Sequence, residues 1–421
     1  MNTYKKYITL LLLGFSGGAI FVFPYLKYIF YDDVLSSLGI GNADSGLLLS
    51  AYSLGCVALY IPGGILADKL SPRISVVVSL LAATALTLIF AFSFNFTAAI
   101  IVWFLMAFAS GFVFWSSVLK AVRIISDEKD QGLMYGIYYS ANGAATALIN
   151  YLCLNVFDST GGGSHGLFNA ILLMAFFTGF SAIALMFFLK GFEKSTTSEE
   201  EKFHFSDLSA VLKNPAIWLI SIVFFCTYAV YTCSSYYTPY LTYLGLPSST
   251  SAELSIVRIN IAMMIASPIG GYIADKLFKS TLKWLFYGSI LLAFSIAATF
   301  YVGGSSLSLA SVVSIIPGWI VMSMYGIMFS SFKEINIPVK VSGTAIGFAS
   351  IISYSPDLFL NTIYGYVLDS YTGLETLFGY KIIFLSLASL SLLAAVLSWV
   401  VWKLCKPETQ IQSTKLVSQE I

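Results

Sequence analysis

Apolar runs of about twenty residues recur along the whole chain, separated only by short polar or Gly/Pro-marked breaks. A helix rising 1.5 Å per residue needs roughly that length to cross a bilayer core about 30 Å thick. Twelve spans are predicted, over about 8–30, 45–67, 74–94, 97–119, 132–156, 167–189, 216–241, 251–273, 281–302, 308–331, 343–367 and 380–402. The expected fold class is therefore an all-α membrane protein. With 58% hydrophobic and 10% charged residues, against about 25% charged in a soluble chain, an ordinary cytosolic enzyme is excluded, and so is disorder. The first run has no small-residue cleavage site and leads straight into further spans, so it reads as a span and not as a cleaved leader.

A net charge of +1 offers no basic surface for nucleic acid. Cys56, Cys153, Cys226, Cys233 and Cys405 lie far apart, and His165 and His204 are the only histidines. No metal cage, disulfide framework or cofactor is expected. Placing the N-terminus in the cytoplasm puts 19 of the 22 Lys and Arg residues on that side, the exceptions being Lys27, Arg258 and Lys381. Opposite loops carry Asp32, Asp33, Asp158 and Asp369. By the positive-inside rule both termini are expected in the cytoplasm.

The stretch 190–214 is the one long hydrophilic segment, and it divides the chain into a six-helix bundle over 1–189 and another over 215–405, with a tail at 406–421. Its acidic run Glu199 to Glu201 reads as a solvated linker, and Asn214-Pro215 as the N-cap and first residue of span seven. The halves echo each other. Gly63-Gly64-Ile65-Leu66-Ala67-Asp68-Lys69-Leu70 returns at an offset of 207 as Gly270-Gly271-Tyr272-Ile273-Ala274-Asp275-Lys276-Leu277. Gly132 and Gly136 return at offset 211 as Gly343 and Gly347, and Trp115-Ser116-Ser117 at offset 214 as Phe329-Ser330-Ser331. Three matches at equivalent spans indicate a parallel repeat of six helices.

The glycines allow close helix approach. An acid ending one helix can then face the positively polarised start of a neighbour: Asp68 against Ser342 and Gly343, Asp275 against Gln131 and Gly132. The alternative is that Asp68-Lys69 and Asp275-Lys276 simply anchor loops. Gly64 to Arg73, GILADKLSPR, resembles the loop 2-3 signature of the major facilitator superfamily, and GYIADKLFKS is its degenerate copy. The signature's second Gly is replaced around Ser71-Pro72, and only Arg73 remains of its terminal basic pair. Stretches VLKAVR, SPIGGYIADK and TIYGYVLD are similar to a bacterial group of YihN-like permeases. The resemblance implies two pseudo-symmetric six-helix bundles rocking about a midplane site, spans 1, 4, 7 and 10 lining the cavity, spans 2, 5, 8 and 11 joining the halves, and a gate at Asp68, Lys69, Arg73, Asp275 and Lys276.

Two charges fall well inside spans. Arg258 is about 12 Å deep in span eight and Asp357 about 21 Å along span eleven. A charge there needs a partner or a wet cavity. Arg258 could clamp an anionic cargo group, Asp357 could carry a proton, or both could be structural. Lys27 reads as interfacial. In span seven Tyr228, Thr232 and Ser235 share a face, and with Trp115 and Ser116 they would line a solute site, while Tyr236 to Tyr240 read as an outer aromatic belt. Asn142, Asn150 and Asn361 are candidates for cargo bonds or for interhelical contacts.

No P-loop and no nucleophile-base-acid set is present, so neither an ATP-driven pump nor an enzyme is expected. The function read from these features is secondary active transport of a small polar or anionic solute by alternating access, with protons as coupling ion, by a monomer embedded in the lipid of a bacterial inner membrane. The competing reading is a transporter-like sensor or receptor, against which stands the lack of a sizeable output domain.

Overall fold

The computed structural model describes residues 3–125, 131–190, 213–303, 306–335, 337, 345 and 348–405, and these are helical almost throughout. Nine helical stretches among them are long and apolar enough to cross a membrane, among them Tyr4–Val22, Pro72–Phe92, Gly163–Phe188, Pro215–Tyr243 and Thr376–Leu404. Spans two, five and eleven are less apolar: Asn42–Lys69, Gln131–Ser159, and the helix Pro356–Ser370. Each packs along a helix of the other half, span two on span eleven and span five on span eight. Helices that bury a face in protein need less lipid-facing surface, and small or polar residues suit such close packing.

Two hydrophobic cores follow the division of the chain. Leu10, Phe23, Trp103, Phe114, Ile149 and Leu185 belong to one, and Ile217, Phe224, Leu285, Met322, Phe384 and Val401 to the other. Tyr31 of the first half lies in the second core, and Ala252 and Ile256 of the second half lie in the first, so the seam is an interlocked one. Asn214 caps Pro215–Thr232 by accepting from the Ala216 amide at 3.0 Å. One face of the bundle gathers the start of span one and the end of span six, where Lys5 donates to the Lys190 carbonyl at 3.1 Å. This is the terminal face.

On the opposite face spans two and eleven are clamped together. The Asp369 carboxylate accepts from the Asn42 amide (3.0 Å), the Asn42 side chain (2.7 Å) and the Ala43 amide (2.8 Å). These are donors that the start of helix Asn42–Lys69 cannot use internally, and its dipole favours an anion there. Deeper in, Ser50 and Thr362 hydroxyls meet at 2.9 Å, and Gly46 lets the backbones touch, since a Cβ there would lie 2.5 Å from the Asn361 carbonyl oxygen. Asp158, which precedes Asp369 by the same offset of 211 as the glycines of spans five and eleven, is exposed instead. Spans five and eight are joined lower down, Asn150 donating to Asn260 at 3.1 Å. An acid on a helix start is thus found at Asp369, while the pairings expected for Asp68 and Asp275 rest on side chains and residues outside the described ones.

Arg258 stitches spans seven, eight and ten of the second half together. The π-helical segment Ile256–Ile261 carries it. Its Nε donates to the Ser314 carbonyl at 2.9 Å, one terminal nitrogen to the Ser314 hydroxyl at 3.1 Å, and its guanidinium lies 4.8 Å from the Tyr237 ring centre. The side chain is fully buried.

Two outcomes are expected. Asp369→Ala should loosen the opposite face by about 1 kcal/mol after solvent screening, roughly fivefold in the shut-to-open ratio, read as faster labelling of a Thr362→Cys variant by a membrane-impermeant thiol reagent. Arg258→Ala should lower stability by about 2–4 kcal/mol through lost packing and charge-assisted bonds, read by thermal unfolding in detergent. An unchanged midpoint would contradict the anchoring role.

Candidate functional site

Three spans predicted as continuous are broken at one level, and the breaks meet. Span one runs as Thr3–Val22, turns at Phe23–Tyr25 and resumes as the 3-10 turn Leu26–Tyr28. Pro24 explains this, having no N–H to give and forcing Phe23 away from helical geometry. The freed Pro24 carbonyl accepts from the Trp103 indole at 3.0 Å. Span seven runs as Pro215–Thr232, tightens into the 3-10 turn Cys233–Tyr236 and resumes as Tyr237–Tyr243. The two turns are bonded to each other: the Tyr28 hydroxyl donates to the Thr232 carbonyl at 2.6 Å and the Thr238 hydroxyl to the Tyr28 carbonyl at 3.3 Å. In span eleven residues 348–353 are helical, Tyr354 and Ser355 turn, and Pro356 opens a new helix. Asp357 therefore sits in the first turn of a half-helix, where the dipole favours a carboxylate.

Asp357 is buried and accepts three hydroxyl bonds, from Tyr228 at 2.7 Å, from Tyr25 at 3.4 Å and from Thr232. Thr232 in turn accepts from the Asn361 side-chain amide at 3.1 Å, and the Asn361 oxygen accepts from Lys27 Nζ at 2.7 Å. Asp357 and Asn361 are four apart and so share a helix face. A buried ammonium from the first half and a buried carboxylate from the second are thus linked, without touching, through Asn361 and Thr232. Lys27 also lies 5.2 Å from the centre of the Tyr236 ring, whose hydroxyl donates to the Asn361 carbonyl at 2.6 Å.

Tyrosine rings surround the carboxylate. Tyr25 meets Tyr52 at 6.0 Å, Tyr228 meets Tyr354 at 4.8 Å, and Tyr231 meets Tyr325 at 5.2 Å between ring centres. Spans one, two, seven, ten and eleven each supply one or more. Tyr25, Tyr231, Tyr325 and Tyr354 keep partial exposure, and half-buried Trp115 continues the wall between Phe21 (6.1 Å) and the exposed Tyr139 (6.5 Å).

Of the residues singled out from sequence, Asp357, Tyr228, Thr232 and Asn361 come together here. Ser235 lies in the turn just beyond, donating to the Thr232 carbonyl at 3.3 Å. Ser116 is half-buried beside Trp115. Asn142 packs on Gly17 of span one, inside the first bundle. Arg258 shares no partner with Asp357, because its fork turns toward span ten. Arg73 donates to the Met186 carbonyl at 2.9 Å, while Asp275 and Lys276 are exposed. The side chains of Asp68, Lys69, Gln131 and Gly132, and all of Ser342, Gly343 and Gly347, lie outside the described residues.

Two expectations need correcting. Lys27 is not interfacial: it is 5% exposed, because the Pro24 break folds its turn into the seam. Nor do Tyr236, Tyr237 and Tyr240 form a belt: all three are buried, bonded or ring-packed within the second half, as Tyr240 is on Phe384 at 5.0 Å. The signal for Lys27 was a lysine just past a proline in an apolar run.

The chain is 27% identical to the inner membrane protein YqcE of Escherichia coli (strain K12) over 277 residues, 65% of this chain and 65% of YqcE. The match thus spans just under two thirds of that relative. It is 28% identical to the inner membrane protein YihN of the same organism over 296 residues, covering 69% of this chain and 70% of YihN. Among solved structures, the nucleoside transporter NupG superposes with a TM-score of 0.70 at 14% identity, covering 96% of this chain and 100% of its own. An inward-facing bacterial homologue of the human lysosomal transporter Spinster gives 0.72 at 12%, covering 95% and 96%. These likenesses fix the fold as two bundles of six helices. The family profile described as Major Facilitator Superfamily matches residues 7–359, and the chain belongs to that superfamily.

Proposed function

We propose that this superfamily transporter moves a small polar or anionic solute by alternating access and couples each cycle to a proton at Asp357. The observation that carries the reading is the carboxylate itself: buried, held by three hydroxyls, and placed on the seam where the two halves must part. Two of those bonds, from Tyr228 and Thr232, tie span eleven to span seven within the second half, and the third, from Tyr25 at 3.4 Å, crosses to span one, so its charge state bears on the seam through Tyr25. A proton there weakens the hydroxyl-to-carboxylate bonds, which are strongest to an ion, and separates states that differ in their contacts with it.

Basic residues concentrated on the terminal face support placing both termini in the cytoplasm, and the inner-membrane relatives support the bacterial inner membrane. In that orientation the Asp369 clamp closes the external side, and Asp68, Lys69, Arg73, Asp275 and Lys276 form the cytoplasmic gate that closes in the other half of the cycle. The half-buried rings from Trp115 to Tyr325 provide stacking surface for the solute, with Thr232, Ser235 and Asn361 offering hydrogen bonds and Asn142 serving the packing of the first bundle.

Asp357→Asn keeps the shape and two of the acceptor geometries but not the titration. In proteoliposomes, uptake driven by an imposed pH gradient should fall at least tenfold, while solute exchange at equal pH continues. Gradient-driven uptake that persists in this variant would refute the coupling role.

A further inference from the structure

We infer that Lys27 is the seat of an anionic group on the cargo, and that the site takes a small monoanion together with each proton. This rests on the proton-coupled reading and names the substrate class.

Counting charge across the buried cluster leads there. Lys27 is its one cation and Asp357 its one anion among the described residues that face it. Tyr25, Tyr28, Tyr52, Tyr228, Tyr231, Tyr236, Tyr325, Tyr354 and Cys233, contributed by spans one, two, seven, ten and eleven, are the other titratable groups around the pair. Phenols and thiols in their ordinary range are neutral at physiological pH. With both centres ionised the cluster is neutral. A proton arriving alone at Asp357 leaves a buried ammonium unbalanced, and an anion arriving alone leaves a surplus negative charge. Either is costly away from water. A proton and a monoanion arriving together restore neutrality, whereas a cationic solute has no place: it would have to sit beside Lys27 or displace it.

The hydrogen bonds point the same way. Lys27 has three N–H donors, and the one hydrogen bond drawn for it runs to Asn361 at 2.7 Å. A carboxylate or similar oxygen can replace the Asn361 oxygen at that ammonium or add to it at one of the remaining donors. A protonated Asp357 accepts fewer bonds than a carboxylate, so Tyr25 or Tyr228 is released as a hydroxyl donor for the same anion. Proton and anion thus favour one another's binding, and the coupling is reciprocal. Arg258 lies outside this cluster: Ser314 takes its Nε and one terminal nitrogen and the Tyr237 ring covers its face, and although its other terminal nitrogen has no hydrogen-bond partner among the described residues, none of its contacts reaches Lys27, Asn361 or Asp357.

The test uses purified full-length protein in detergent and a fixed probe panel: lactate, benzoate and glucuronate as monoanions, glucose and uridine as neutral solutes, choline and agmatine as cations. Ligand-induced thermal shift is read at pH 5.5 and 7.5. One or more monoanions should stabilise the protein, with an apparent Kd about tenfold lower at pH 5.5. Lys27→Met should abolish that response, and Lys27→Arg, which keeps the charge, should retain it and so report that the fold survives change at this position. Asp357→Asn should bind the same anion with no pH dependence. An anion response that needs Lys27 but ignores pH in the unmodified protein supports the anion seat and removes the proton reading instead. Stabilisation by neutral or cationic probes alone, no response to any monoanion, or binding by Lys27→Met within twofold of the unmodified protein overturns the inference.

Discussion

An ammonium and a carboxylate buried at the boundary of two apolar bundles impose the main condition on this molecule. Neither ion is tolerable in hydrocarbon without partners, and each has one in the opposite half: Lys27 of span one donates to Asn361 of span eleven, and Asp357 of span eleven accepts from Tyr25 of span one. The halves are therefore held shut by the same atoms that give the site its chemistry. A change in charge at that point is at once a change in the cohesion of the whole protein.

The broken helices make this possible. Unpaired backbone groups within a bilayer are permitted only where protein or water satisfies them, and each break here meets that requirement internally. The Pro24 carbonyl takes the Trp103 indole, the Thr232 carbonyl takes the Tyr28 hydroxyl, and the Ile352 carbonyl, to which Pro356 has no N–H to give, takes the Ser355 hydroxyl at 2.7 Å. Without the break at Pro24, Lys27 would continue up a straight helix toward the membrane surface. Without the break before Pro356, Asp357 would lose the helix start that favours its charge.

Much of this was legible from sequence. Apolar run length gave the spans, and glycine-acid echoes at near-constant offset gave the two halves. The hydroxyl face of span seven and the intramembrane Asp357 pointed to residues that do meet. What was not legible depends on where helices stop. Run length cannot see a turn inside an apolar stretch, so it passes through Pro24 and Ser355-Pro356, puts Lys27 at the membrane interface and makes Tyr236 to Tyr240 an outer belt. Arg258 illustrates a second limit. Depth identifies a charge that needs partners, but only the π-helical segment around it decides that those partners are Ser314 and Tyr237.

The fastening of the opposite face is lopsided. Asp369 grips the start of span two, whereas its counterpart Asp158 is exposed, has no such grip among the described residues and stands near Asp33, a connector acid raised to about 6 by burial and by its neighbours Asp32 and Asp158. A closure hinged along one edge swings like a door. The edge between spans five and eight, held by the single amide bond from Asn150 to Asn260 rather than by a carboxylate clamp among the described residues, is the side left freer to come ajar.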